Sequence, residues 1–334
     1  MSATTALSSS KKPRFSLSAF ISRNRRAASA LVVFVTLILI FIAAAPKVFL
    51  NPNAYTAIFV SLPISMVLAV SLVFVVSSGE IDLAFPAVFG IAAWTFSLTS
   101  VRFGLGPWAG LIVALATGAL AGWINGMLVT RAKLSSLVST LGMNFMLRGL
   151  INIGTQGLGI PLSSLRDTRF FQVFVGDLAG IPVQMFWGIL LAIVGVILFN
   201  RHRFGADVCS IGDNQESARE MGIDVARTKT YAYIYVGLSA AFAGVLSSMV
   251  NSTFWPAAGD GYLLTTLAAV FVGGTPTWGG VGTVTGAAIG TFTVGFIETG
   301  IIAAGLTAFY TQFFYGLIIV LSLLGHRFNS PRYR

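Results

Sequence analysis

Long apolar runs alternate with short polar connections along the chain, and this alternation restricts its fold more than any other feature. Ten runs lie at roughly 27–45, 55–78, 84–101, 107–129, 135–154, 183–200, 230–250, 262–274, 282–299 and 305–324. Only 10% of the 334 residues are charged, and the mean hydropathy is +0.84, whereas soluble domains carry roughly 25% charged residues. Runs of roughly 20 apolar residues match a bilayer core. The sequence therefore predicts an all-α integral membrane protein with about ten transmembrane helices.

The basic residues are unequally shared between the two sides of these spans. Ten spans place both termini on one side, which then carries sixteen Lys and Arg residues, while the other side carries four: Lys47, Arg102, Arg166 and Arg169. Cytoplasmic loops of membrane proteins carry such an excess, so both termini are predicted to be cytoplasmic. The net charge of +10 then reflects topology, and no nucleic acid is expected as a partner.

Three regions follow from this topology. Residues 1–26 form a basic cytoplasmic tail, residues 27–325 the transmembrane domain, and residues 326–334 a second basic tail. A signal peptide is the competing interpretation of the first run, because Ala43, Ala44 and Ala45 resemble a cleavage site. The run of 19 apolar residues exceeds the usual core of a signal peptide, about 7–15 residues, so we predict an uncleaved first helix.

The longest hydrophilic stretch in the second half of the chain is Arg201–Lys229. Within it, Asp213 and Glu216 have the spacing of a capping box, and Gly222 is typical of the residue that follows a helix C-terminus. These signals predict a helix over Asn214–Met221. A helix of this length is marginal alone in water, where about 12–15 residues are needed, so it either docks on a partner or is an ordinary solvated connector.

The predicted helix offers a small apolar face for docking. Ala218 and Met221 are three positions apart, Ile223 lies beyond them, and Glu216, Ser217, Arg219 and Glu220 surround them. The basic clusters Arg201–Arg203 and Arg227–Lys229 are predicted to anchor the ends of the stretch at the membrane edge.

Several polar residues fall inside or beside the apolar runs. Arg148 and Glu298 are ionisable residues at membrane depth, where functional roles are common, although Glu298 lies near a span end where its charge can reach water. The three asparagines Asn125, Asn144 and Asn152 either join helices through hydrogen bonds or contact a polar solute. Glu80 and Asp82 lie between two spans, where a carboxylate capping the next helix is favoured over a catalytic pair.

No catalytic or cofactor-binding motif is present in the sequence. The Gly-rich segment 273–286 lacks the lysine of a P-loop, His202 and His326 flank membrane runs, and Cys209 is the single cysteine. We therefore expect no enzyme activity, no internal disulfide and no metal site. Glycines spaced by four residues, Gly118 and Gly122 and also Gly282, Gly286 and Gly290, predict close helix contacts, and residues 155–182 are expected to carry a short surface helix.

Four segments resemble one family. Glu216–Gly222 reads ESAREMG and resembles the E-A-A-x-x-x-G signature of ABC-importer permeases. The segment SSGEIDL at 77–83, containing Gly79 and Asp82, resembles the G-G-I-D-L signature of the ribose-type, simple-sugar branch. Segments 123–150 and 261–290 are similar to further elements of that branch, and the likeness covers about 50–325. One departure is Ala84-Phe85-Pro86, where the family usually has Ser-Val-Gly.

This resemblance implies the permease of a type II ABC importer in a bacterial inner membrane. It implies two cytoplasmic ATPase subunits that bind ATP and Mg, a periplasmic substrate-binding protein, and a second permease subunit, giving a homodimer or a heterodimer. Residues 213–222 would form the ATPase-coupling site, and the substrate would be a sugar or polyol. The alternatives are a secondary transporter or channel that works without an ATPase, and an ABC permease for branched-chain amino acids.

Overall fold

A computed structural model of the chain describes residues 25–307 and 309–328. Within them the chain forms helices α1 Arg25–Ala44, α2 Pro46–Phe49, α3 Pro52–Ser77, α4 Phe85–Ser97, α5 Pro107–Thr130, α6 Ser136–Thr155, α7 Arg169–Val175, α8 Val183–Asn200, α9 Arg203–Asp213, α10 Gln215–Glu220, α11 Val225–Val250, α12 Tyr262–Val272, α13 Val284–Ala303 and α14 Phe309–Phe328. The predicted tail at 1–26 lies outside the described residues except for 25 and 26, and so do residues 329–334 of the second tail.

Each predicted apolar run contains one of these helices. Within residues 25–307 and 309–328, seven helices are long and apolar enough to cross a membrane: α1, α3, α5, α8, α11, α13 and α14. The helix in each of the other three runs differs in kind. Helix α4 has 13 residues and continues as a π-helix over Leu98–Arg102, α12 has 11 residues, and α6 carries Asn144, Arg148 and Asn152.

Helix α3 occupies the centre of the bundle and is almost entirely buried from Leu62 to Ser77. It packs against α8, α11, α12 and α13. Burial on every side explains why its sequence is apolar all round rather than on one stripe. Pro63 is tolerated within α3 because neighbouring helices can satisfy the backbone groups that proline leaves unpaired.

Helices α5 and α11 run antiparallel and pack through small residues. A Cβ at Gly118 would collide with the carbonyl of Gly237, and a Cβ at Gly122 would collide with the carbonyl of Tyr233. The predicted close contact at Gly118 and Gly122 is therefore confirmed, since only glycine permits this backbone separation.

The second predicted glycine face is confirmed in part. Gly286 and Gly290 pack on the carbonyls of Gly273 and Ala269, which joins α13 to the end of α12. Gly282 lies outside α13, because Thr283 caps the helix through Gly286 N. Its position in the helical repeat was therefore predicted wrongly.

Two short antiparallel strand pairs lie near the end of the bundle opposite α10. Strand β1 (Ile160–Pro161) pairs with β4 (Thr253–Phe254), and β2 (Asp177–Leu178) pairs with β3 (Ile181–Pro182). The predicted surface helix in 155–182 is α7, whose Thr168 side chain accepts a hydrogen bond from Phe171 N.

Candidate coupling site and solute pathway

Helix α10 is shorter than predicted and is capped by a different residue. Asn214, in an extended conformation, accepts hydrogen bonds through Oδ1 from Glu216 N and Ser217 N, both at 3.0 Å. Asp213 is the last residue of α9, so the predicted capping role of Asp213 is wrong. Asp213 and Asn214 are two successive residues of types that can each cap a helix. The sequence analysis did not predict α9, which ends at Asp213, and Asn214 therefore caps α10.

The C-terminus of α10 ends as the sequence predicted. Gly222 has φ +79°, its N–H donates to Arg219 O at 2.9 Å, and Ile223 N donates to Ala218 O at 3.0 Å. These two bonds form a Schellman motif, which needs the left-handed conformation at Gly222.

The apolar face of α10 is divided between the interior and the surface. Ala218 is fully buried against Ile211 and Val225. The prediction that Ala218 belongs to an exposed docking face is therefore wrong. Met221 is 65% exposed. The outer surface of α10 therefore presents Met221 together with Glu216, Ser217, Arg219 and Gly222.

Lys229 connects α10 to the core of the bundle. Its Nζ lies 2.5 Å from Glu80 Oε1 and 3.0 Å from Gln215 Oε1, and only 8% of the Lys229 side chain is exposed. Gln215 opens α10, whereas Glu80 belongs to the loop between α3 and α4. The prediction that Lys229 anchors the chain at the membrane edge is wrong, because these two partners hold its charge inside the protein.

A second connection is made by backbone alone. Gly212 of α9 packs directly on Ser77 O and Gly280 N, and Gly280 N donates to Ser77 O at 2.9 Å. Gly279, φ +77°, lies against Gly79, φ +84°. The loops 78–84 and 273–283 and the end of α9 therefore meet without intervening side chains, and we call these contacts the glycine junction.

The loop 78–84 is also tied to the helices around it. Ile81 N and Leu83 N donate to Ser136 Oγ and Thr140 Oγ1 of α6, at 3.3 and 3.0 Å. Asp82 is buried and accepts a hydrogen bond from Ala84 N at 2.7 Å. Ala84 is the N-cap of α4 and has no side-chain cap hydrogen bond, so the prediction that a carboxylate caps this helix is wrong. Burial raises the pKa of the Asp82 carboxyl to about 6, although hydrogen bonds from the Ala84 and Phe85 amides oppose the shift.

The polar side chains predicted for a solute pathway do not form one cluster. Asn125 is fully buried, and neither polar atom of its side chain has a hydrogen-bond partner; Asn144 Oδ1 is also buried without one. Asn152 is exposed on α6. Glu298 lies apart from the asparagines on α13, where its Oε2 accepts a hydrogen bond from Tyr315 OH at 2.9 Å.

Arg148 fastens the segment between β4 and α12 to the bundle. Its Nη1 donates to Pro256 O and Ala258 O at 3.1 and 2.8 Å. Its Nη2 donates to Pro86 O at 3.2 Å and pairs with Asp260 Oδ1 at 2.5 Å. These contacts bring the first turn of α4 beside the start of α12.

The sequence analysis missed Lys229 and the glycine junction. Lys229 was hidden because it lies in a basic cluster beside a span, and its partner Glu80 is 149 residues away. The glycines at 79, 212 and 280 have no side chains, so no sequence pattern indicated that these segments are in contact. The described residues contain no group of three His, Cys, Asp or Glu placed to hold a metal ion.

The described residues form a bundle of helices long and apolar enough to cross a membrane, with an exposed capped helix fastened to its loops, as in an integral membrane protein. Residues 54–323 match the family described as the permease component of the branched-chain amino acid transport system. The chain belongs to this family of transport-system permeases.

Curated relatives within this class import several small solutes. The chain is 31% identical to the ribose import permease protein of Bacillus subtilis over 84% of this chain and 87% of that protein. It is 29% identical to the L-arabinose ABC transporter permease protein of Azospirillum brasilense, over 86% and 83%. It is 28% identical to an autoinducer 2 import system permease protein of Yersinia enterocolitica, over 90% and 82%.

Proposed function

We propose that this chain is the permease subunit of an ATP-driven importer for a sugar or polyol. The observation that carries the proposal is the exposed helix α10, joined to the loop 78–84 through Lys229 and the glycine junction. Relatives that import ribose and L-arabinose, and the segment SSGEIDL at 77–83, favour a sugar over a branched-chain amino acid.

In this proposal the chain crosses a bacterial inner membrane ten times in the manner of a type II importer. The shorter helices α4 and α12 and the polar helix α6 complete the ten spans. The excess of Lys and Arg on the α9–α10 side supports a cytoplasmic position for that end of the bundle and for both termini.

Coupling would proceed from α10 to the loops at the cytoplasmic end. The residues that meet the ATPase are Glu216, Ser217, Arg219, Met221 and Gly222. Ala218 holds α10 against Ile211 and Val225, and Asp213 ends the preceding helix α9. A displacement of α10 pulls on Glu80 through Gln215 and Lys229, and a displacement of α9 moves Ser77 and Gly280 through Gly212. Both loops adjoin the short helices α4 and α12, so the movement reaches the centre of the bundle.

The partners follow from this division of labour. Two cytoplasmic ATPase subunits bind ATP and Mg, and a periplasmic binding protein delivers the solute. A second permease subunit, most simply another copy of this chain, completes the pathway. Asn125, Asn144, Asn152 and Glu298 are proposed to lie along or beside that pathway, and catalysis belongs to the ATPase.

The experiment that tests this function is ATP-dependent D-ribose uptake into proteoliposomes containing the chain, its ATPase and its binding protein. Glu216→Arg should abolish uptake and ATPase binding, because it reverses a charge on the exposed face of α10. Asp167→Arg, an exposed reversal at the other end of the bundle, should leave both unchanged. Uptake that persists without the ATPase would instead identify a secondary transporter or channel, and uptake of L-leucine in place of ribose would identify an amino-acid permease.

A further inference from the structure

A groove lined by apolar side chains and several polar ones opens between α3, α12 and α13. Its volume is about 510 Å³. Its walls combine apolar and polar side chains, and the polar members are Ser61, Ser65, Tyr262, Thr265, Thr291, Glu298 and Thr299. No lining residue that the structure describes is basic.

The groove reaches into the middle of the membrane-crossing helices. Ser65 lies near the midpoint of the 26 residues of α3. Glu298 lies five residues before the end of α13, or about 8 Å at 1.5 Å per residue. A carboxylate facing hydrocarbon at this depth would be costly, whereas the hydroxyls of Ser61, Thr265 and Thr299 are satisfied by carbonyls of their own helices. Glu298 is therefore the wall residue that indicates contact with water.

Glu298 is held in one orientation and still has a carboxylate oxygen available. Tyr315 OH donates to Oε2, and the residue is exposed. A second carboxylate, Asp260, immediately precedes Gly261 at the same end of α12. Arg148 holds its Oδ1, yet 62% of the Asp260 side chain is exposed. Asp260 is paired with Arg148 and is not among the lining residues, so Glu298 is the carboxylate that faces a solute in the groove.

We propose that this groove is a solute site on the import pathway, in which Glu298 accepts hydrogen bonds from the hydroxyl groups of a neutral sugar or polyol. Carboxylates are strong acceptors for hydroxyl donors, and the hydroxyls of Ser61, Thr265 and Thr299, which donate to carbonyls of their own helices, can still accept. Because Glu298 is acidic and no described lining residue is basic, an anionic sugar phosphate is repelled from the same groove. This inference rests on the proposed function, and it adds the position and the charge selectivity of the site.

Cysteine accessibility tests the site without requiring transport. In a Cys209→Ser background, Thr265→Cys should react with a charged, water-soluble methanethiosulfonate. The matched control is Ile193→Cys on α8, where the native side chain is 52% exposed on an apolar helix, and we expect it to react at least about tenfold more slowly, since lipid excludes the reagent.

D-ribose should slow the labelling of Thr265→Cys, whereas ribose 5-phosphate at the same concentration should not. Adding Glu298→Gln should preserve the labelling and remove the protection by ribose, which separates loss of the site from misfolding. A Thr265→Cys variant that labels no faster than Ile193→Cys would place the groove against lipid, and equal protection by both sugars would refute the charge selectivity.

Failure of this inference can be distinguished from failure of the proposed function. Labelling and protection are measured without ATPase or binding protein. If Thr265→Cys is not labelled or not protected, the proposal of ATP-driven uptake is unaffected. Conversely, uptake without ATP would overturn the importer assignment while leaving the ribose site established.

Discussion

At the scale of single residues, the buried ion pair of Lys229 is the most important contact that the sequence did not predict. An amine held between Glu80 and Gln215 with 8% exposure is nearly removed from water, so its charge requires both partners. Lys229→Met would leave the Glu80 carboxylate, 17% exposed, without its cation. Loss of one partner of a buried pair costs about 3–5 kcal/mol, and we expect a lower thermal midpoint in detergent and loss of ATP-driven uptake.

Arg227→Met is the matched control for that substitution. Arg227 pairs with Asp224 at 3.5 Å on the same turn of α11, but 78% of its side chain is exposed, and exposed pairs contribute about 0–1 kcal/mol. The charge exchange Glu80→Lys with Lys229→Glu should recover part of the lost stability. Equal effects of the Lys229 and Arg227 substitutions would contradict the role assigned to Lys229.

Cys209 gives a second residue-scale prediction. Burial raises the pKa of its thiol to about 11, so only about one thousandth is thiolate at pH 8, and the thiolate is the reactive form. Maleimide should label the native chain slowly, at a rate that still rises above pH 9. The denatured chain should label much faster at pH 8, and a native rate that levels off near pH 8.5 would show an ordinary thiol.

At the scale of elements, the stability of α10 depends on Asn214. Asn214→Ala removes the acceptor for the Glu216 and Ser217 amides, and loss of such a cap typically costs about 1 kcal/mol. We expect the helix to fray and ATPase binding, measured by co-purification, to fall about fivefold. Asn214→Asp retains the acceptor and should bind nearly as well as the native chain, whereas equal binding by the alanine variant would show that the cap is dispensable.

The sequence predicted elements well where hydrophobicity or a local motif defines them. All ten apolar runs contain helices, and Gly222 ends α10, because each signal acts over a few residues. The sequence did not predict α9, because residues 203–213 mix charged, small and apolar side chains and form no apolar run. Its burial of Gly205, Val208 and Ile211 reflects packing against distant segments, which local patterns do not contain.

The same limit applies to the candidate sites. The signature at 216–222 predicted the position of α10. That Ala218 is buried and Met221 exposed depends on the position of α11. Glu298 was identified as a charge at membrane depth, whereas the groove beside it combines α3, α12 and α13. Residues far apart in the chain determine both features.

At the scale of the whole molecule, the proposed topology places α10 and the segment Ser163–Leu165 on opposite sides of the membrane. In a Cys209→Ser background, Ser163→Cys should react with a membrane-impermeant maleimide on intact spheroplasts. Ser217→Cys should react only after permeabilisation. The two native serines are both exposed, so the control for reactivity is equal labelling of the two variants in detergent. The reverse pattern in spheroplasts would place both termini outside.

The contacts of Arg148 also join segments of the chain that are synthesised at different times. Its acceptors Pro256 O and Ala258 O are 108 and 110 residues further along, so the ribosome, at about 5–20 residues per second, supplies them about 5–20 s after Arg148. Until then, α6 carries a guanidinium with only Pro86 O available from the part already made. A chain truncated before residue 256 should therefore be retained by the insertion machinery or degraded, because its sixth helix lacks the partners that make it stable in lipid.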